Sequence, residues 1–143
     1  MTTKLLYLVS HPIQYQAPLL RRIAEDPEID LRVIFESDFS KDAYHDQGFG
    51  TQIAWDVPLL KGYESSLLVA VDLASELENC DALWVHGWQS KTMRRAIPLA
   101  KKKNKPVLMR GENWDGAMPD GWGLRGWLKR LYLKRIFGNC AGF

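Results

Sequence analysis

Continuous apolar runs alternate along this chain with stretches whose apolar residues recur every three or four positions, a rhythm that predicts strand, loop and helix in repetition. Lys4–Val9 (KLLYLV) has the composition of a central parallel strand buried on both faces. A helix is predicted over Ala17–Ala24, with Pro18 in its first turn, where a missing N–H costs nothing, and with Asp26 and Pro27 closing it. Leu31–Phe35 is a second strand, rich in β-branched and aromatic residues. A polar loop over Glu36–Gly50 leads to a short strand around Gln52–Trp55. Leu67, Val71, Ala74 and Leu77 predict a helix over Leu67–Glu78, and Ala82–Val85 (ALWV) is the next buried strand. Met93, Ala96, Ile97 and Ala100 keep the i, i+3, i+4, i+7 spacing of a helix over Gln89–Lys103, which Pro98 is expected to kink. Pro106–Met109 is a further strand, Leu124–Phe137 a further helix, and residues 140–143 read as the opening of another strand.

Strands that alternate with helices in this way form βαβ units with right-handed crossovers. The expected fold class is therefore α/β: a Rossmann-like, three-layer α/β/α domain with a mainly parallel sheet, occupying residues 1–143 as one domain. A domain that stops on the first residues of a strand is expected to be completed by further chain.

Charge changes this picture more than composition does. Residues 1–90 carry 6 Lys/Arg against 14 Asp/Glu, whereas residues 91–143 carry 13 against 3, so a net +2 conceals balances of −8 and +10. Such a split points one end of the molecule at something anionic, unless it is only a dipolar surface. No apolar run approaches the roughly 18 residues of a membrane span. Leu5–Val9 is too short for a signal-peptide core, so a cytoplasmic location is expected. Cys80 and Cys140 stand alone, which argues for a reducing compartment and against a disulfide framework or a zinc site.

Ligands of open parallel sheets bind beyond the carboxyl ends of the strands. Four loops therefore matter: Ser10–Gln16, Glu36–Asp38, His86–Gln89 and Arg110–Asn113. His11 and His86 are candidate ligands or bases, because imidazole titrates near neutral pH; each could equally hydrogen-bond a backbone group in a tight turn. Glu112 is a candidate base or a clamp on sugar hydroxyls, with a salt bridge to Arg110 as the plainer role. Tyr15, Trp88, Trp114 and Trp122 supply rings on which sugar faces stack, whereas Trp84, inside a strand, is assigned to the core and His45 to solvent.

Several patterns exclude alternatives. Gly121, Gly123 and Gly126 fit GxGxxG, but about ten residues beyond their strand, and the first βα turn holds no glycine, so an NAD site is not expected. No Walker-type lysine motif exists, which removes nucleoside triphosphatases. Leu124, Trp127, Leu128, Leu131 and Tyr132 share one helical face, with Arg125, Lys129, Arg130 and Lys134 off it. Packing of that Leu and Trp face onto the sheet is the reading preferred; peripheral contact of the 124–137 helix with an anionic membrane, at its inner, cytoplasmic face, is the other. No nucleic-acid-binding module is recognisable.

The loop segments LVSHPIQYQAPL (8–19), SDFS (37–40), GFG (48–50), WDVPL (55–59), WVHGW (84–88) and RGE (110–112) together resemble the N-terminal domain of bacterial GT-B glycosyltransferases of the retaining group 1 family. The resemblance spans nearly the whole chain. It implies a two-domain fold in which the N-terminal half holds the acceptor and the C-terminal half a nucleotide-diphosphate sugar, without an obligatory metal. On that model His11, Gln14, Tyr15, Gln16, Trp88, Gln89, Arg110 and Asn113 bind substrate, and His86 and Glu112 are catalytic, orienting the acceptor hydroxyl while donor phosphates help to deprotonate it. The acceptor is a saccharide or a lipid-linked glycan. The family's Glu-x7-Glu donor motif belongs to the second domain and has no counterpart here, so this domain binds no cofactor itself and needs a C-terminal donor domain or partner chain for hexosyl transfer. The rival readings are a non-catalytic ligand-binding or scaffolding module that lacks the donor half, and a flavodoxin-like or dinucleotide-binding protein, which the glycine-free first turn disfavours.

Overall fold

The first apolar run becomes β1 (Thr3–Val9), whose residues Leu6 to Val9 are all buried because both faces of the strand are covered. The structure, a computed structural model, describes residues 1–39, 44–46, 51–53, 58–111 and 123–142, with 44–46 and 51–53 described by backbone alone. After β1 come α1 (Ala17–Ala24), β2 (Ile29–Phe35), β3 (Tyr44–Asp46), β4 (Thr51–Ile53) and β5 (Glu64–Leu67). They are followed by α2 (Leu73–Asn79), β6 (Ala82–His86), α3 (Lys91–Lys102), β7 (Val107–Arg110) and α4 (Leu124–Phe137).

Five of these strands form one sheet in the order β5–β2–β1–β6–β7, and every neighbouring pair is parallel. On one face Tyr7, Val9, Val33 and Phe35 pack with Leu20 of α1. On the other, Leu6, Leu8, Ile34, Leu83 and Val85 meet Leu77 of α2, Ile97 of α3 and Ile136 of α4. This is an α/β, Rossmann-like three-layer fold. The strand order reverses at β1, which places a crevice at the carboxyl ends of β1 and β6.

Three expectations are corrected by packing. Leu67–Glu78 is not one helix: Leu67 ends β5, Leu68–Ala70 form a 3-10 turn, and α2 starts only after Asp72, whose carboxylate accepts from the Ser75 N–H at 3.0 Å. Strand β5 has no apolar alternation to betray it. Arg32 of β2 binds it by side chains instead, donating to Glu64 at 2.6 Å and to Ser66 at 2.9 Å and reaching Glu76 of α2 at 3.3 Å. The short strand around Gln52–Trp55 is Thr51–Ile53, paired antiparallel with Tyr44–Asp46 in a separate ribbon; Trp55 lies outside the described residues.

The third correction concerns α4, whose boundaries are as expected and whose orientation is not. Gly126, Leu133 and Ile136 are the residues turned to the interior. They lie on one face at i, i+7 and i+10. Leu124, Trp127, Leu128, Leu131 and Tyr132 face outward instead, Leu124 with 73% and Trp127 with 56% of their surface exposed. Beyond α4 the Ala141 N–H donates to the Val107 carbonyl and Gly142 forms an isolated parallel bridge with Leu108, beside the outer edge of β7. Helix α3 starts at its Ser90 cap, which accepts from Met93 N–H at 3.0 Å, and runs through Pro98, which stands exposed.

Candidate functional site

Alternation along two adjacent strands builds a floor. Leu83 and Val85 of β6 and Val107 and Met109 of β7 point into the core beneath α3. Their neighbours Trp84, His86, Leu108 and Arg110 therefore share the opposite face, and the register pairs Trp84 with Leu108 and His86 with Arg110. All four line an open cleft of about 1050 Å³ beyond the edge of α1, bordered also by Ser10, Trp88, Gln89 and Ser90. At the end of β6, Gly87 adopts φ +87° and donates its N–H to the Arg110 carbonyl at 2.7 Å. A Cβ there would touch nothing within 4 Å, so the glycine is required by its dihedral rather than by space.

His86 is held from behind by the one buried polar side chain of the described core, Gln16, which is 2% exposed. Tyr7 Oη donates to Gln16 Oε1 at 3.0 Å, and Gln16 Nε2 lies 2.9 Å from His86 Nδ1. Tyr7 Oη itself is 3.2 Å from Nδ1. An amide nitrogen only donates, so Nδ1 is the acceptor and the neutral imidazole carries its proton on Nε2. Gln16 stands at the N-cap of α1 but caps nothing, because its amide is engaged by Tyr7 and His86. Arg110 is ordered by Tyr15, its guanidinium carbon lying 5.9 Å from the ring centroid.

The structure thus brings together His86, Trp88, Gln89 and Arg110 in the cleft, with Gln16 and Tyr15 touching His86 and Arg110 from outside it. His11 stands apart, its Nδ1 2.9 Å from Ser10 Oγ and its ring edge-on to Phe39 at 5.5 Å. Gln14 is half-buried and does not line the cleft. Glu112, Asn113, Trp114, Trp122, the glycine pattern beginning at Gly121 and the side chain of His45 lie outside the described residues. Trp84 packs on Tyr7 at 4.2 Å as a core residue does, and it also floors the cleft, a second role that strand alternation beside His86 could have shown. Ser10, the first residue of the loop expected at the crevice though not singled out there, also lines the cleft.

Among the described lining residues Arg110 is the one permanent charge and no carboxylate is present, while five aromatic or sulfur-bearing side chains (Trp84, Trp88, Met93, Met109 and Phe137) give apolar surface. Aromatic surface interleaved with hydrogen-bonding groups suits a neutral, hydroxyl-rich ligand. Among the described residues no group of three or more His, Cys, Asp or Glu side chains could hold a metal ion. Comparison with known proteins adds no relative: no family model matches the chain, and no curated protein or solved structure matches it.

Burial lowers the His11 pKa below its ordinary 6.5. The unfolded chain therefore takes up a proton at higher pH than the folded one. Stability is expected to be level above about pH 6.5 and to fall on acidification from there through the lowered folded value. Thermal unfolding followed over pH checks this: His11→Asn should lose that part of the slope, and an unchanged slope would contradict the assignment.

Proposed function

We propose that this domain is the acceptor-binding, N-terminal half of a GT-B glycosyltransferase, acting with a C-terminal donor half that binds a nucleotide-diphosphate sugar. The observation that carries the reading is the cleft at the carboxyl ends of β6 and β7, where His86 and Arg110 are register partners and Trp84 and Trp88 also line the cavity. In this reading sugar rings of a saccharide or lipid-linked acceptor stack on the tryptophans, and Gln89 and Arg110 bind hydroxyls. His86, neutral and protonated on Nε2, acts as an orienting donor to the acceptor hydroxyl rather than as its base. The proton leaves toward the donor phosphates as the hydroxyl oxygen attacks the anomeric carbon and the nucleoside diphosphate departs. Glu112, which lies outside the described residues, is proposed as a second orienting group.

The test is steady-state kinetics of a form that includes a donor half. His86→Ala is expected to lower kcat/KM by about two- to tenfold, the loss of one uncharged orienting hydrogen bond. Kinetics unchanged from wild type would overturn the role of His86.

A further inference from the structure

The outward face of α4 has no use in the cleft and an unusual make-up. Leu124, Trp127, Leu128 and Leu131 repeat at i, i+3, i+4 and i+7 on the side opposite Leu133, with Tyr132 on its margin, and all five are exposed. Arg125 flanks this stripe on one side, Arg130 and Lys134 flank it on the other, and Arg135 continues it one turn on. Helix α4 contains five Lys/Arg and no Asp/Glu. The adjoining α3 extends the same character, with Lys91, Arg94, Arg95, Lys101 and Lys102 exposed. Lys101 Nζ ties the two helix ends together, donating to the Gly138 carbonyl at 3.3 Å and to Asn139 Oδ1 at 3.0 Å. The Tyr132 ring packs edge-on against Trp88 of the cleft at 6.4 Å, so this basic, apolar face adjoins the site.

We propose that the α4 face docks the protein on an anionic lipid bilayer. Leucine and tryptophan side chains enter the headgroup boundary, and the flanking arginines and lysines meet lipid phosphates, the division of labour of an interfacial helix. Charge selects this occupant over a second copy of the chain, which would set five cations of α4 against five more. Orientation disfavours a covering domain at the strand ends: α4 returns along the flank of the sheet before Gly142 joins β7 in parallel, so its outer face looks sideways. Among the described residues no helix is long and apolar enough to cross a membrane. Taken with the transferase reading, on which this consequence rests, the adjoining cleft takes the lipid-linked rather than the free acceptor.

The test is co-sedimentation of the purified chain with vesicles of phosphatidylcholine alone or with about a third phosphatidylglycerol, over a salt series. Wild type is expected to pellet with the anionic vesicles only, and to be released as salt rises. Arg125→Glu with Lys134→Glu is expected to weaken vesicle binding by at least about thirtyfold, from roughly fivefold per basic side chain at an anionic surface. Trp127→Glu with Leu131→Glu is expected to abolish binding, with an unchanged melting temperature, because both side chains are exposed in the fold. Wild type that stays in the supernatant overturns the proposal. So does an apolar-face variant that pellets as well as wild type, or a concentration-dependent dimer that the same variant dissolves. None of these readouts involves the cleft, so the transferase reading stands or falls separately.

Discussion

Ile97→Ala is expected to lower the free energy of unfolding by about 2–5 kcal/mol, a large share of the roughly 5–15 kcal/mol typical of a natural domain. Ile97 is fully buried at the centre of α3 and belongs to the cluster that joins Leu83, Val85 and Val107 of the sheet to Ala96 and Ala100 of the helix. Ala96 and Ala100 beside it are too small to fill the space left by Ile97. The cost therefore belongs in the upper half of that range, with the lost transfer energy and the cavity adding together. Urea titration checks it: the midpoint should drop with the slope unchanged. A loss below about 1 kcal/mol would mean that the α3 layer does not close on the sheet as described.

Gln16→Leu is the second large effect, and it links stability to the site. The substitution keeps most of the volume and removes both amide partners, leaving Tyr7 Oη and His86 Nδ1 without the bonds of 3.0 and 2.9 Å that Gln16 supplies. Depriving buried groups of their partner costs about 1–3 kcal/mol. Tyr7→Phe removes one member cleanly and should cost less. In the double variant the Tyr7 hydroxyl that has lost Gln16 is itself absent, so the two costs should fall short of adding. Strict additivity would show that the three side chains do not act as a network. Heteronuclear NMR of the imidazole gives an independent reading, since wild type should show the proton on Nε2 and Gln16→Leu a mixture of both neutral forms.

Much of the architecture was legible in the chain because both periodicities were strong. Ala17–Ala24 and Leu124–Phe137 begin and end as their patterns predict, and the four buried runs became β1, β2, β6 and β7. What stayed hidden is what tertiary partners decide. Strand β5 reads ESSL, with only one apolar residue, and it joins the sheet through Arg32 reaching Glu64 and Ser66 across strands. Helix α4 offers two apolar seams, and the pattern cannot say which meets the sheet. The richer one, with Trp127 and Leu128, faces outward, while the poorer one carries Gly126 and packs.

The site was legible as a set of loops, not as an arrangement. Strand ends in a parallel sheet pointed to His86, Trp88, Gln89 and Arg110, and these share the cleft. Gln16, expected to touch substrate, lies behind His86 and is almost fully buried, which only the approach of the α1 N-cap to His86 reveals. Trp84 shows the opposite limit, since a strand residue read as core also floors the cleft because it stands on the same face as His86.

The most direct measurement is a heteronuclear NMR titration of the chain with saccharides, free and lipid-linked, and separately with nucleotide-diphosphate sugars. An acceptor half predicts that a saccharide shifts the indole signals of Trp84 and Trp88 and the Arg110 guanidinium, while nucleotide sugars leave them in place. Saccharides that move none of these signals, together with a nucleotide sugar that moves them all, would contradict it.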